Sequence, residues 1–207
     1  MAAKETDTMP YSAEHKHETR TRIIKSARRL FNQNGFAEVS IGDIMSDAGL
    51  THGGFYKHFA AKEDLYKVAV LQFIRNDRPE PWQRKHIDPK AEGPDLARMI
   101  LDAYLSKDHL KQQEASCPMI ALPSDVARGN KAVQEAFREV LEMMVGAFAA
   151  NLPATDKQTP RQRGLALVAL AVGGMVLARA VGDRELADEI RDSARTEAYE
   201  TTGWKEE

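Results

Sequence analysis

The chain has 207 residues, 43% of them hydrophobic and 29% charged, with a formal net charge of -2 and one cysteine. That length supports one large core, or a small domain joined to a larger one, and the near-neutral total argues against indiscriminate binding of polyanions. A single cysteine excludes an internal disulfide framework and fits a reducing compartment.

Residues 1–15 are polar, lack the apolar stretch of a signal peptide and read as a disordered tail, so a cytoplasmic location is expected. The window that follows is basic: Lys16, Arg20, Arg22, Lys25, Arg28 and Arg29 face only Glu18. Ile23, Ile24, Ala27, Leu30 and Phe31 recur with helical period, and Asn34-Gly35 supplies a stop. The basic side of this helix is either a solvated face or a surface that steers phosphates through Arg20, Arg22 and Lys25.

Ser40 then opens a helix as N-cap, with Asp43 placed to reach back to the free amides. Ile41, Ile44, Met45 and Ala48 share one face, Gly49 ends the helix in a left-handed turn, and Leu50 plugs the core. Thr51 is a second N-cap. Phe55 and Phe59, four apart, dock the following helix by its aromatic side and leave His52, Gly53, Tyr56 and Lys57 outward. Glycines in a first helical turn cost about 1 kcal/mol each relative to alanine, so Gly53 and Gly54 point to a close backbone approach. Such a face suits a recognition helix, which sets its N-terminal residues against base edges while its neighbours grip phosphates.

Gly49, the run Phe55-Tyr56-Lys57-His58-Phe59 and Lys62 together resemble the DNA-binding domain of the TetR/AcrR-like bacterial transcriptional regulators, over about residues 21–69. The resemblance implies an all-α fold. A three-helix DNA-binding domain with a helix-turn-helix would occupy 16–62, and a larger helical ligand-binding and dimerisation domain 63–207. By that likeness Thr51, His52, Gly53, Gly54, Tyr56, Lys57 and His58 face DNA, with Tyr56 and Lys62 on phosphates. Ser40, at the start of the preceding helix, joins this set. Two positions depart from the pattern: Ala61 stands where many members have a capping Ser, and Gly42 where some have a long polar residue.

Lys62 to about residue 76 continues as a connecting helix, with Leu65, Ala69 and Phe73 on a stripe. Residues 78–94 hold Pro79, Pro81, Pro89 and Pro94 and read as a loop or boundary. Beyond it the apolar pattern is helical throughout: Leu96 to Tyr104, Met119 to Val126, Val133 to Phe148, and Leu165 to Val181. Within this body Met99, Tyr104, Cys117, Met119, Phe137, Met144, Phe148 and Met175 are candidates to line an effector pocket, because flexible Met side chains suit irregular pockets. The same stripe also serves as plain core.

Leu165 to Val181 is apolar on nearly every side, yet Gly173, Gly174 and Arg179 interrupt it, which argues against a membrane span. Something must cover it: the core of one subunit, a seam between two copies through Ala166, Ala169, Gly173 and Leu177, or both. The family likeness places the last two long helices, about 161–181 and 184–198, in a dimeric four-helix bundle. Two-fold symmetry then predicts a palindromic operator.

Cys117 precedes a proline near an expected helix N-terminus, where amide dipoles lower a thiol pKa, so it is either a sensor of electrophiles or a small buried hydrophobe. His15 and His17 lie too close together in a polar tail to suggest a metal site, and no nucleophile, base and orienting group recur in a catalytic pattern. No cofactor or catalysis is expected. The reading is a homodimeric, ligand-responsive repressor of double-stranded operator DNA, released by a small-molecule effector. Its alternative is a helical small-molecule binding or sequestering protein in which residues 40–62 merely pack. The gathering of Arg20, Gly53, Tyr56, Lys57 and Lys62 favours the first.

Overall fold

The computed structural model describes residues 13–75, 80–121 and 123–205. The first twelve residues of the expected tail, the end of the connecting helix at 76, Pro79 and Leu122 lie outside them. Residues 13–15 do not belong to a tail, because the first helix, α1 (Ala13–Glu38), already includes them. Gly35 (φ 78, ψ 172) breaks its geometry where a stop was expected, and one more turn follows. Next come α2 (Ile41–Asp47), a 3₁₀ segment over His52–Lys57, and α3 (Lys62–Arg75).

The proline-rich stretch is not all loop. It contains α4 (Pro81–His86), because Pro81 sits in the first turn, where a missing N–H costs nothing, and Glu80 and Gln83 form a capping box. The body continues with α5 (Gly93–Tyr104), α6 (Lys107–Lys111), α7 (Pro118–Ala121) and α8 (Pro123–Arg128). A single helix over 119–126 was expected; Pro118 and Pro123 each open a new short helix instead, since neither can donate to the preceding turn. Three long helices close the fold: α9 (Lys131–Ala149), α10 (Pro160–Ala180) and α11 (Arg184–Thr202). Among the described residues there is no strand, and the protein is all-α.

One apolar core runs through both parts. In the N-terminal part Ile23, Ala27, Phe31, Ile44, Met45, Phe55 and Leu65 are buried, and the core continues through Val70 and Leu71 of α3 to Val140, Val145 and Phe148 of α9. Thus α3 packs on α1 with one side and on α9 with the other. In the body α10 lies between α9 and α11. Gly164 makes this possible: a Cβ there would stand 2.8 Å from the carbonyl oxygen of Val145, so only glycine lets α10 approach α9 so closely.

The apolar character of α10 is only half used. An 18-residue window of it has mean hydropathy 1.6, and 44% of that window is buried. Leu167, Val168, Ala171, Met175 and Ala178 face the core, while Ala166, Ala169 and Leu177 are exposed and Gly173 is half-exposed. Leu165 and, on α11, Leu186 extend the uncovered surface.

Candidate nucleic-acid interface

The candidate site is built on α2. Ser40 caps it as the spacing requires: Asp43 N donates to Ser40 Oγ at 3.1 Å, and Ser40 N donates to Asp43 Oδ2 at 2.9 Å. These bonds, with the charge of Lys62, hold the Asp43 carboxyl below its ordinary pKa. At the far end Gly49 (φ 66) turns the chain left-handed, and Leu50 N donates to the Met45 carbonyl at 2.8 Å, so Leu50 is directed back onto the core.

The reading segment that follows is tighter than an α-helix. His52–Lys57 winds as 3₁₀, with Gly54 N on Thr51 O at 2.9 Å and His58 N on Phe55 O at 2.9 Å. Thr51 has the extended backbone of an N-cap, but its side chain makes no capping bond. Phe55 is fully buried and Phe59 nearly so, their rings 5.7 Å apart, and their burial anchors the segment by about 1.5–3 kcal/mol for each ring. Thr51, His52, Gly53, Tyr56 and Lys57 are exposed on the other side, with Gly54 and His58 half-buried at its edges. Tyr56 is 60% exposed, its ring edge-on to Phe55 and His52.

Nothing inside the protein requires glycine at position 53. Its φ is not positive, and an added Cβ would meet no atom within 4 Å. At Gly54 a Cβ would touch Met45 Cε at an ordinary 3.4 Å. A glycine that neither conformation nor packing demands, in the middle of an exposed segment, leaves room for something outside. Gly42 borders the same surface: its missing Cβ would lie 3.9 Å from His52 Cδ2.

The basic residues divide into two groups. Arg20, expected on phosphate, turns inward: its guanidinium carbon lies 4.1 Å from the Phe59 ring centroid, and Nη1 donates to the His58 carbonyl at 2.7 Å. Arg22 donates to the Ala48 carbonyl at 2.9 Å, satisfying the C-terminus of α2. Lys62 places its ammonium 4.3 Å from the Phe36 ring centroid, and burial lowers its pKa. Lys25 is exposed but lines a cleft of about 290 Å³ shared with Arg29, Asp47 and Glu114. Lys57 remains as the exposed cation of the reading segment. His58, close to Lys16, Arg20 and Lys57, has its pKa lowered first by burial and then by those charges. Ala61 offers the first helical amides no side-chain acceptor, but its own N–H donates to Asp64 Oδ2 at 3.1 Å, the reciprocal half of a capping box.

The body residues expected around an effector are mostly core. Tyr104, Cys117, Met119, Met144, Phe148 and Met175 are buried, and Met99 and Phe137 are half-buried. Tyr104, Cys117 and Met144 do come together: Cys117 Sγ is 3.8 Å from Met144 Sδ, and Tyr104 and Cys117 interact. The thiol does not have the lowered pKa expected of a sensor. Burial pushes it up to about 11, and the four-residue α7 is too short to offset that desolvation. Two open clefts in the body, of about 420 and 670 Å³, are lined by charged residues of α5, α6, α10 and α11 and by none of these candidates.

Sequence reasoning missed the residues that fasten α1 to the body. Asn32 donates to the carbonyls of Glu114 and Ser116, and Phe36 N donates to Asp125 Oδ2 at 2.7 Å. Arg28 bonds Glu80 at 2.5 Å, and Arg29, besides pairing with Asp47 of α2 within the reading domain, approaches Glu114 Oε1 at 3.7 Å. The only signal was Asn32 itself, a polar residue beside Phe31 on the apolar face.

Residues 23–69 match the family model described as bacterial regulatory proteins, tetR family. The chain is 43% identical over 58 residues to the uncharacterized HTH-type transcriptional regulator YerO of Bacillus subtilis, covering 28% of this chain and 20% of that protein. It is 41% identical over 54 residues to the HTH-type transcriptional regulator UidR of Escherichia coli, covering 26% of this chain and 28% of that protein. The likeness therefore spans less than a third of either relative. The fold extends further. The reduced form of E. coli NemR is similar with TM-score 0.69 at 17% identity over 89% of this chain and 96% of that one. A TetR transcriptional regulator from Chloroflexus aurantiacus is similar with TM-score 0.70 at 22% identity, over 91% and 96%.

Proposed function

We propose, from a tetR-family N-terminal domain at residues 23–69 set on a helical body, that this chain is a sequence-specific DNA-binding transcriptional regulator. It binds a palindromic operator as a homodimer, acts as a repressor, and is released when a small molecule occupies the body. The observation that carries the reading is the His52–Lys57 segment. Its Phe55 base is buried, its outer face is polar, and Gly53 has no internal reason to be glycine.

Each part of the site has a physical role in this reading. Residues 52–54 approach base edges in the major groove, and the Tyr56 hydroxyl and Lys57 ammonium meet phosphates on either side. Ser40 and Thr51 flank that surface. Arg20 acts behind it, holding the end of the segment, while Arg22 closes α2 at Ala48 and Lys62 lies on the Phe36 ring, so the case against a mere packing module rests on His52, Gly53, Tyr56 and Lys57. The exposed stripe of Ala166, Ala169, Gly173 and Leu177 supplies the dimer seam, where small residues let two helices approach. A two-fold axis there presents two reading segments to major grooves about 34–36 Å apart or a multiple of that. An effector that favours a different spacing by about 1–3 kcal/mol lowers operator affinity roughly 5- to 150-fold.

The test is selection of bound fragments from a pool of random duplexes, followed by screening for compounds that release them. Recovery of an inverted repeat is expected. A monomeric chain that shows no preference over random competitor at ordinary salt overturns the reading.

A further inference from the structure

The turn between α6 and α7 is bonded to both the reading domain and α10. From α1, the Asn32 side chain, 8% exposed, spends both amide hydrogens on this turn: Nδ2 donates to the carbonyls of Glu114 and Ser116, each at 3.1 Å. From α10, Arg179 donates through Nη1 to Ser116 Oγ and through Nη2 to the His109 carbonyl, each at 2.7 Å. Ser116, fully buried, is therefore held by α1 at its carbonyl and by α10 at its hydroxyl. The buried His109 closes the knot, with Nδ1 donating to the Tyr104 carbonyl at 2.7 Å and Nε2 facing Cys117 N at 3.4 Å.

The chemistry at both ends is specific to the residue present. Asn32 needs two donors on one planar group, which neither Asp nor Leu offers. Arg179 is partly desolvated and its acceptors here are a hydroxyl and a carbonyl, both neutral. A buried charge of this kind is a poor source of stability, but its rigid fork fixes two acceptors in one plane. The arrangement supplies direction between two helices more than cohesion.

We propose that Asn32, Ser116 and Arg179 are positioning residues for operator specificity: without touching DNA, they fix the angle of α1 against α10 and so the half-site spacing that two paired reading segments accept. This rests on the reading of the chain as a paired operator binder through α10. The lever is long. From Asn32 to Arg20, whose guanidinium holds the end of the reading segment, α1 runs about 18 Å at about 1.5 Å per residue. A tilt of about 10° at Asn32 moves that end by about 3 Å, close to the ~3.4 Å that one base pair occupies along the duplex axis. Loosening the knot therefore blurs spacing by about one base pair.

The test uses the full-length chain with the selected operator and versions whose central spacer is one base pair shorter or longer. Arg179→Met and Asn32→Ala should lower the preference for the best spacer over its neighbours at least fivefold, with the salt dependence of binding unchanged. Ser116→Ala, which removes the hydroxyl but leaves its backbone carbonyl to Asn32, should move the profile the same way by a smaller factor, and it carries the test if the other two do not fold. Folded variants with the parent spacer profile overturn the proposal. If the parent chain binds no duplex, the function fails first, and the knot is then read by hydrogen exchange. Amides 28–36 should exchange at least tenfold faster in Arg179→Met or Ser116→Ala while those of α9 do not, and equal rates overturn it.

Discussion

Replacing Arg20 by methionine separates holding the reading segment from gripping DNA. The Arg20 guanidinium stacks on Phe59 at 4.1 Å and donates to the His58 carbonyl at 2.7 Å, in a partly buried setting. A cation–π contact contributes about 0.5–1 kcal/mol, and a hydrogen bond from a charged donor about 1.5–3 kcal/mol, before allowance for solvent. Because the group is only partly buried, the combined loss should be about 2 kcal/mol. If all of it appears as disorder of the segment in the free protein, operator affinity falls about 30-fold. The counterion signature is the decisive part. Each phosphate contact contributes about 0.9 to the slope of log K against log salt, and Arg20→Met should leave that slope unchanged. Lys57→Met, which removes an exposed cation, should lower it by about 0.9 with little change in stability. Fluorescence anisotropy between about 50 and 200 mM salt, alongside thermal unfolding, measures both. A slope that drops by about one unit in Arg20→Met at unchanged stability would refute the reasoning, for Arg20 would then be a phosphate ligand.

Acid should destabilise the protein earlier than its carboxylates alone would. Burial pushes His109 from 6.5 down to about 3, so the unfolded chain takes up the proton first. Stability from this group is complete above pH 6.5 and lost as pH falls toward 3, reaching about 2 kcal/mol of loss by about pH 5; a flat unfolding profile between pH 7 and 5 contradicts a neutral buried His109. Leu177→Glu combined with Ala169→Glu should convert the proposed dimer to monomer in sedimentation velocity without loss of helicity, and a persisting dimer places the seam elsewhere. Cys117 should react with a thiol reagent only at the rate of opening, so that denaturant accelerates it; immediate reaction of the native protein would restore the sensor reading.

The local instructions of the reading domain were legible without a fold. Ser40 with Asp43, Gly49, and Phe55 with Phe59 act over three or four residues, where capping, turn geometry and helical period leave few alternatives. The all-α class followed from the same period carried through the body. Side-chain direction was not legible. Arg20, Arg22 and Lys62 each sit on a basic surface in the sequence, but their long stems reach either solvent or a carbonyl or ring contributed by another element. Only the packing of α1 against Phe59 and Ala48, and of the start of α3 against Phe36 of α1, selects between these. Cys117 shows the same limit, because a nearby helix start argues for a reactive thiol while burial, a property of the whole core, wins.

Short-range rules thus settled the cap at Ser40, the turn at Gly49 and the exposed polar face at His52–Lys57. The tertiary structure alone decided which charges are spent internally and how the reader is fastened to the body. Those bonds join residues as far apart as Asn32 and Ser116, or Ser116 and Arg179, and a partner that distant in the chain leaves no periodic trace in the sequence around either of its members.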